Sequence, residues 1–483
     1  MNEYEVYKEF LKFEEKNKLF DYTYKGIKIW DYTRYNFYKI LCTNYLGLFN
    51  QIQRPIKPEN VQTNDYIKER LMDIDKLGHY DILIMGNPRR VKQADGYYYD
   101  IYTDYIPDLI DDYSSLVVED PFWNQFSHNK ESHLTPAISK NLIYTDNLVR
   151  YFYDCYFDDN AFAKEKEDLK AIFTEISQIF AKTYNFDYEI AIINATLLSL
   201  FIIITEEEYC RLLKQTSPKA VLFIFHPNPS CLALLHCAKK LGIPIAEIQH
   251  GIFGEFEPIW HKFGNTNREY MLPDYVLALS PRVVFENDMA MTAANGKLKY
   301  VGYPLLERKI EEYKDVKEDT TKKNILFVSQ TNIGETFSRY AAELADLLKD
   351  KPEYHIIYKL HPFELKKVYP HLNKENITVI NNLDQDIYYF AKKSRFQIGV
   401  YSTAIYEAVQ FGVTTLIADD IMGGKEALKI LDGLDGVYSA TTPKDAYDII
   451  MSNPPITSID NPLWPRVNKE TYTKAIEDII NKR

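Results

Sequence analysis

Apolar residues are spaced along this chain in two rhythms. Over residues 1–75 they include Phe10, Phe13, Phe20, Trp30, Tyr35, Phe37 and Leu41 at mixed helical spacing, which predicts an N-terminal helical region. From Tyr80 onward short apolar runs are closed by turn formers. Ile82-Leu83-Ile84-Met85 precedes Gly86-Asn87-Pro88, Leu116-Val117-Val118 precedes Glu119-Asp120-Pro121, and Ala220-Val221-Leu222-Phe223-Ile224-Phe225 precedes His226-Pro227; Leu142-Ile143-Tyr144 is a shorter run. Runs of about five residues with no polar alternation predict strands buried on both faces of a parallel sheet. Residues 160–182 and 188–216 fall between these runs and read as long helices. Ser230 is placed to cap a further helix through Leu232, Leu234, Leu235 and Ala238, which stops at Gly242 before a strand at Ile245-Ala246-Glu247-Ile248.

The segment 308–323 is dense in charge and poor in apolar residues, so it reads as a linker. A second series follows, with strands at 325–328, 354–358, 377–380, 396–400 and 414–417 and helices at 334–350, 386–393 and 403–411. The predicted fold class is α/β, with two Rossmann-like domains facing across a cleft and an N-terminal helical extension. The expected divisions are 1–75 helical, 76–307 as the acceptor-side domain, 308–323 as linker, 324–460 as the nucleotide-sugar-binding domain and 461–483 as a helical tail. Open parallel sheets bind ligands beyond the carboxyl ends of their strands, so chemistry is sought there.

Composition removes several alternatives. Across 483 residues, 57 Lys and Arg face 69 Asp and Glu, a net charge of -12, which argues against a grip on nucleic acid. Five cysteines without a C-x-x-C pair read as reduced thiols in the cytoplasm. The start, Met1-Asn2-Glu3, lacks the basic region of a secretory signal, and the apolar stretch 189–205 reads as a buried helix. P-loop, G-x-G-x-x-G and H-E-x-x-H patterns are absent. The acidic pairs Asp73/Asp75 and Asp384/Asp386 read as solvated faces, so no metal and no cofactor are expected.

Three strand ends carry chemistry. Gln249-His250-Gly251 follows a strand directly, and His250 has the proton affinity of a general base for an acceptor hydroxyl. Lys359-Leu360-His361-Pro362 places two cationic or donor groups at one strand end, suited to a phosphate, and Glu364 lies nearby either to orient His361 or to face solvent. Ser402 and Thr403 open a helix whose first-turn N–H groups make an anion site, with Glu407 one turn later placed for ribose hydroxyls. His226 and His261, with Gln249 and Gly251, are candidates to line the cleft or an acceptor pocket.

Taken in order, Ile248-Gln249-His250-Gly251, Pro273-Asp274-Tyr275-Val276-Leu277, Val301-Gly302-Tyr303-Pro304, Tyr358-Lys359-Leu360-His361-Pro362 and Val400-Tyr401-Ser402-Thr403-Ala404-Ile405-Tyr406-Glu407 resemble bacterial surface-polysaccharide biosynthesis proteins of the two-Rossmann, GT-B glycosyltransferase type. The resemblance covers residues 245–420. The His-Pro and Ser-Thr elements are similar to those of bacterial sialyl- and polysialyltransferases and teichoic-acid glycerophosphotransferases, where they contact the phosphate of a cytidine-nucleotide donor. That implies phosphate contacts for His361, Ser402 and Thr403. The acidic base motif of polysialyltransferases is absent, which leaves His250 as the base. Nucleotide epimerases of the same fold also carry a His-Pro element and a Ser-rich helix start.

The expected activity is therefore metal-independent transfer of a sugar from a nucleotide-sugar, its nucleotide CMP, CDP or UDP, to a saccharide or lipid-linked saccharide acceptor in capsule or other surface polysaccharide synthesis. Lys366-Lys367 and Lys392-Lys393 suggest contact with the inner face of the plasma membrane. The rival readings are a nucleotide-sugar 2-epimerase, a CDP-alcohol polyol-phosphate transferase and a non-catalytic binding module of an export assembly.

Overall fold

The computed structural model describes residues 3–47, 65–121, 128, 134–184, 188–224, 228–252, 272–283, 297–317, 323–456 and 463–482. His226 and His261 lie outside the described residues. The chain divides into two compact units, the first formed by 1–279, 284–301 and 467–483 and the second by 280–283 and 302–466.

In the first unit, β1 (Ile82–Gly86), β4 (Ser115–Glu119), β5 (Leu142–Tyr144), β6 (Ala220–Ile224), β7 (Ile245–Ile248), β8 (Tyr275–Ala278) and β9 (Leu298–Tyr300) form one parallel sheet in the order β5-β4-β1-β6-β7-β8-β9. The alternation of a strand divides its two faces. Leu83 and Met85 join a core with Phe10, Trp30, Phe37, Phe173 and Phe180, whereas Ile82 and Ile84 meet Tyr472, Ile476 and Ile479. The expected N-terminal helical part is present as helices Glu3–Lys16 and Ile29–Leu46, which pack into the first unit's core. The terminal helix Lys469–Ile480 likewise belongs to this unit, because its apolar stripe is what covers the sheet's second face. Helix Tyr188–Thr216 is long and apolar enough to span a bilayer, but it packs against helices Ala163–Ala181 and Pro229–Leu241 within the core.

The second unit is a parallel sheet of β10 (Lys323–Val328), β11 (Tyr354–Lys359), β12 (Ile377–Ile380), β13 (Phe396–Gly399), β14 (Thr414–Ile417) and β15 (Val437–Ser439), ordered β12-β11-β10-β13-β14-β15. Two parallel-sheet, Rossmann-like units are therefore present.

Several local expectations change. Helix Pro304–Glu312 occupies the start of the supposed linker, because Lys309 is buried with its ammonium 2.8 Å from both Glu312 and Asp386. Asp386 also caps helix Ile387–Lys392 through Tyr389 N. The cap of helix Pro229–Leu241 is Asn228, which accepts from Ser230 N, while Gly242 ends the helix at φ 71°. Pro229 occupies the first turn, where its missing N–H leaves no bond unmade. Between β1 and β4 the chain inserts an antiparallel hairpin of β2 (Arg90–Lys92) and β3 (Tyr98–Asp100), which three-residue strands rich in tyrosine did not announce.

Candidate functional site

In the second unit, β10, β11 and β12 run to one side and β13, β14 and β15 to the other, so the strand order reverses between β10 and β13. Loops leaving the carboxyl ends of such a pair part from each other and open a crevice. β11 and β13 flank β10, so their ends stand about 10 Å apart at the usual strand spacing.

At the end of β13, Gly399 lets the chain turn into helix Thr403–Ala408 at very short range. A Cβ there would lie 2.0 Å from Ile405 Cδ1, so a side chain would push the helix off the strand. Ser402 is the N-cap residue, yet its hydroxyl makes no capping hydrogen bond. Ser402 and Thr403 are both partly exposed. Gly423, at φ 90°, supports this corner from the loop after β14, where a Cβ would lie 2.5 Å from the Tyr401 ring. The Gly423-Gly424 pair is the signal that sequence reasoning passed over.

Glu407 does not reach the crevice. It is 6% exposed, and its Oε2 accepts from the Tyr388 hydroxyl at 2.6 Å. Burial pushes the carboxyl up to about 7, against the lowering effect of that hydrogen bond. The next-turn position faces the core, where Ile405, Tyr406 and Ala408 around it are also buried.

Lys359 is similarly withdrawn. It is 7% exposed, and its ammonium donates to Asn382 O at 2.7 Å and lies 5.4 Å from the Phe390 ring centre. Burial pushes its proton affinity down, with Asp386 and Asp384 opposing. The strand ends one residue before the chain turns, and the side chain spans to the loop after β12.

His361 remains partly exposed at the corner. It caps the short 3-10 turn Pro362–Glu364, with Nδ1 accepting from Phe363 N at 3.2 Å. Glu364 does not face solvent. Fully buried, it accepts from His361 N at 3.3 Å, Ser329 Oγ at 2.7 Å and Tyr369 Oη at 2.7 Å. Next to Ser329, Gln330 has a buried Oε1 with no hydrogen-bond partner among the described residues. The loop after β10 thus adds polar groups to the crevice that no motif had marked.

In the first unit, the order reverses between β1 and β6. His250 follows β7 partly exposed, with its ring edge-on to Tyr102 at 6.5 Å and 88°. Gln249 is fully buried; its amide donates to Gly251 O at 2.7 Å and accepts from Leu279 N at 2.8 Å. It braces the His250 loop against the end of β8.

The hairpin stands on a buried charge network. Arg90 binds Glu119 Oε2 through Nε at 2.9 Å and Nη2 at 2.6 Å, and pairs with Asp104 through Nη1. Asp100 accepts from Asn87 N at 2.8 Å, directly after β1. Burial raises both Asp100 and Asp104, with Arg90 opposing; burial raises Glu119 too, but Arg90 and His128 outweigh it and leave it lowered. Such pairing of distant residues has no local sequence signature.

A cavity of about 1050 Å³ in the first unit is bounded among others by Arg70, Met72, Asp73, Leu142, Leu148 and Arg211, and touches none of the strand-end residues to which chemistry was assigned from the sequence. The chemistry argued from strand ends is preferred over volume, because this cavity gathers no convergent set of catalytic groups. Among the described residues, no three His, Cys, Asp or Glu side chains are grouped to hold a metal ion.

No family model matches the chain, and no curated protein matches it. Among solved structures, it is similar to a UDP-GlcNAc 2-epimerase from Neisseria meningitidis bound to UDP-GlcNAc, at 13% identity and a TM-score of 0.48, covering 83% of this chain and 100% of that one. It is also similar to the UDP-GlcNAc 2-epimerase of Methanocaldococcus jannaschii in complex with UDP-GlcNAc and UDP, at 11% identity and 0.45, covering 83% and 99%. The spinosyn rhamnosyltransferase SpnG matches at 11% identity and 0.39, covering 83% and 91%.

Proposed function

We propose that the second unit binds a nucleotide-sugar and that the protein is a metal-independent glycosyltransferase acting on an acceptor hydroxyl in surface polysaccharide synthesis. The observation that carries this reading is the β10/β13 reversal, around which the Ser329-Gln330 loop, the His361 corner and the Ser402-Thr403 helix start are gathered. First-turn N–H groups and the uncommitted Ser402 hydroxyl suit a phosphate, and the His361 ring supplies a further donor to the departing nucleotide. Gln330 offers an acceptor for a sugar hydroxyl or base amide. In the first unit, His250 is assigned the acceptor's proton.

The turn after the His361 corner is assigned the membrane contact. Phe363 is 73% and Val368 83% exposed, with Lys366 and Lys367 exposed between them. Apolar side chains among lysines suit an anionic lipid surface.

Calorimetry against CMP-, CDP-, UDP-, GDP- and dTDP-sugars tests the donor. Binding of one series, with nucleotide release that requires acceptor and is lost in His361→Ala, is the expected result. Conversion of the sugar without acceptor would instead identify an epimerase, and no binding across the panel would reject the reading.

A further inference from the structure

Two of the five cysteines meet between helices of the first unit. Cys210, on helix Tyr188–Thr216, and Cys237, on helix Pro229–Leu241, bring their sulfurs to 2.7 Å, with Cys210 donating to Cys237. Cys237 in turn donates to Glu206 O at 3.2 Å, one helical turn before Cys210. Cys231, on the same helix as Cys237, is committed elsewhere, to Ile224 O at 3.5 Å.

The turn that carries Cys237 also clasps the Glu206 carboxylate. His236 Nε2 lies 3.4 Å and Lys240 Nζ 2.7 Å from its Oε1. Three contacts from one turn onto one turn fix the register in which the two sulfurs face each other. The partners are unequal. Cys210 is 9% exposed, whereas Cys237 is fully buried, and burial, with the Cys210 thiol beside it, pushes the Cys237 thiol up. A reagent from solvent therefore meets Cys210, and Cys237 reacts only with the sulfur next to it.

We propose that Cys210 and Cys237 are a dithiol that a small-molecule disulfide converts to a reversible cross-link between the two helices. Cys210, as the thiolate, attacks one sulfur of the reagent, whose S–S bond breaks, and one half leaves with the Cys210 proton. Cys237 then attacks the Cys210 sulfur; the second half leaves with the Cys237 proton as the protein S–S bond closes. The two cysteines are oxidised by two electrons, and the reagent is reduced to two thiols. From 2.7 Å the sulfurs close by only about 0.7 Å to reach bonding distance. A reducing compartment returns the pair to thiols. Neither the strand-end crevices nor a nucleotide takes part in this step.

The test uses the full, folded chain with cystamine as the oxidant. Remaining thiols are then blocked with iodoacetamide in urea, and the digest is read by mass spectrometry. The wild type should yield one linked pair of peptides carrying Cys210 and Cys237, two hydrogens lighter than the sum of the free peptides and separated again by dithiothreitol. The linked chain should unfold at higher urea than the reduced chain, because the bond ties together positions 27 apart in the unfolded state. Cys237→Ser should stop at the mixed disulfide, with cysteamine on Cys210, and Cys210→Ser should leave Cys237 unmodified. Neither variant should show the rise in urea midpoint. Should a serine variant not fold, Cys237→Ala or Cys210→Ala is read in the same way, and the wild-type linkage map decides by itself if these fail too.

Both thiols recovered free in the oxidised wild type, a link through Cys231 or another cysteine in place of either, or a link that forms only in urea, overturns the proposal.

Discussion

His128 Nδ1 lies 2.8 Å from Glu119 Oε1, deep in the first unit, and the opposite ring nitrogen lies 2.8 Å from Asp146 Oδ2. Burial pushes the imidazole down, but the hydrogen bonds that the ring donates to Asp146 and Glu119, and their charges, outweigh it and hold the ring up at about 9. Arg90, on the other side of Glu119, shares that carboxylate and keeps it ionised. A folded value above the unfolded one of 6.5 means that the ring's contribution is fully present below that pH and is lost as the pH rises through about 9. The shift is worth on the order of 3 kcal/mol.

Urea unfolding of the wild type should therefore lose stability between pH 6.5 and about 9. In His128→Gln most of that slope should be gone, with the largest loss relative to wild type at the acid end. A difference between the two proteins that stays constant across this range would show that the ring does not carry a proton in the fold.

Gly399 and Ile405 make a second testable pair. An added methyl at 399 would meet Ile405 Cδ1 at 2.0 Å and Cγ1 at 2.5 Å, but Cβ only at 3.8 Å. Gly399→Ala should cost about 1–3 kcal/mol by overpacking, and Ile405→Ala about 2–5 kcal/mol by leaving a cavity. The double variant should cost clearly less than the sum, because the alanine methyl then has room. Additive costs measured by denaturation would mean that the strand and helix separate without regard to this contact.

How much of this was legible follows from the range of the interactions. The runs at Ile82 and Ile325 and the turn at His361-Pro362 were readable because a buried strand and its exit are encoded by adjacent residues. Lys359 and Glu407 were placed in the right elements, but their buried partners were not readable. Alternation and helical spacing state which side of an element a residue takes, not that Asn382 O or the Tyr388 hydroxyl waits there. Arg90, Glu119 and His128 went unread for the same reason, since their pairing joins residues on separate elements.

The exposed turn beside His361 leads to a third prediction. Sedimentation with vesicles of phosphatidylglycerol should carry down the wild type, and vesicles of phosphatidylcholine should carry down much less, because Lys366 and Lys367 add about 1 kcal/mol each near an anionic surface. Phe363→Ser with Val368→Ser should reduce the anionic-vesicle fraction without altering the melting temperature, as both side chains are mostly exposed. Equal sedimentation with both lipids, or no effect of the double change, would remove this turn from membrane contact.

Glu407 decides between the role its spacing suggested and the role its burial indicates. Its folded value of about 7 lies above the ordinary 4.5 of a glutamate, so folding favours the protonated acid. The stability this gives is present below pH 4.5 and is lost as the pH rises through about 7, where the fold must hold a buried charge at a cost on the order of 3 kcal/mol. Glu407→Gln removes that charge and keeps an acceptor for the Tyr388 hydroxyl. The variant should therefore be more stable than wild type at pH 8 and nearly equal to it at pH 4.5, as read by urea midpoints at the two pH values. Its affinity for the nucleotide-sugar should stay within about twofold, since a carboxylate committed to Tyr388 has no ribose to lose. A tenfold fall in affinity with no gain in stability would return Glu407 to the ligand and would mean that the helix after Ser402 rearranges when the nucleotide arrives.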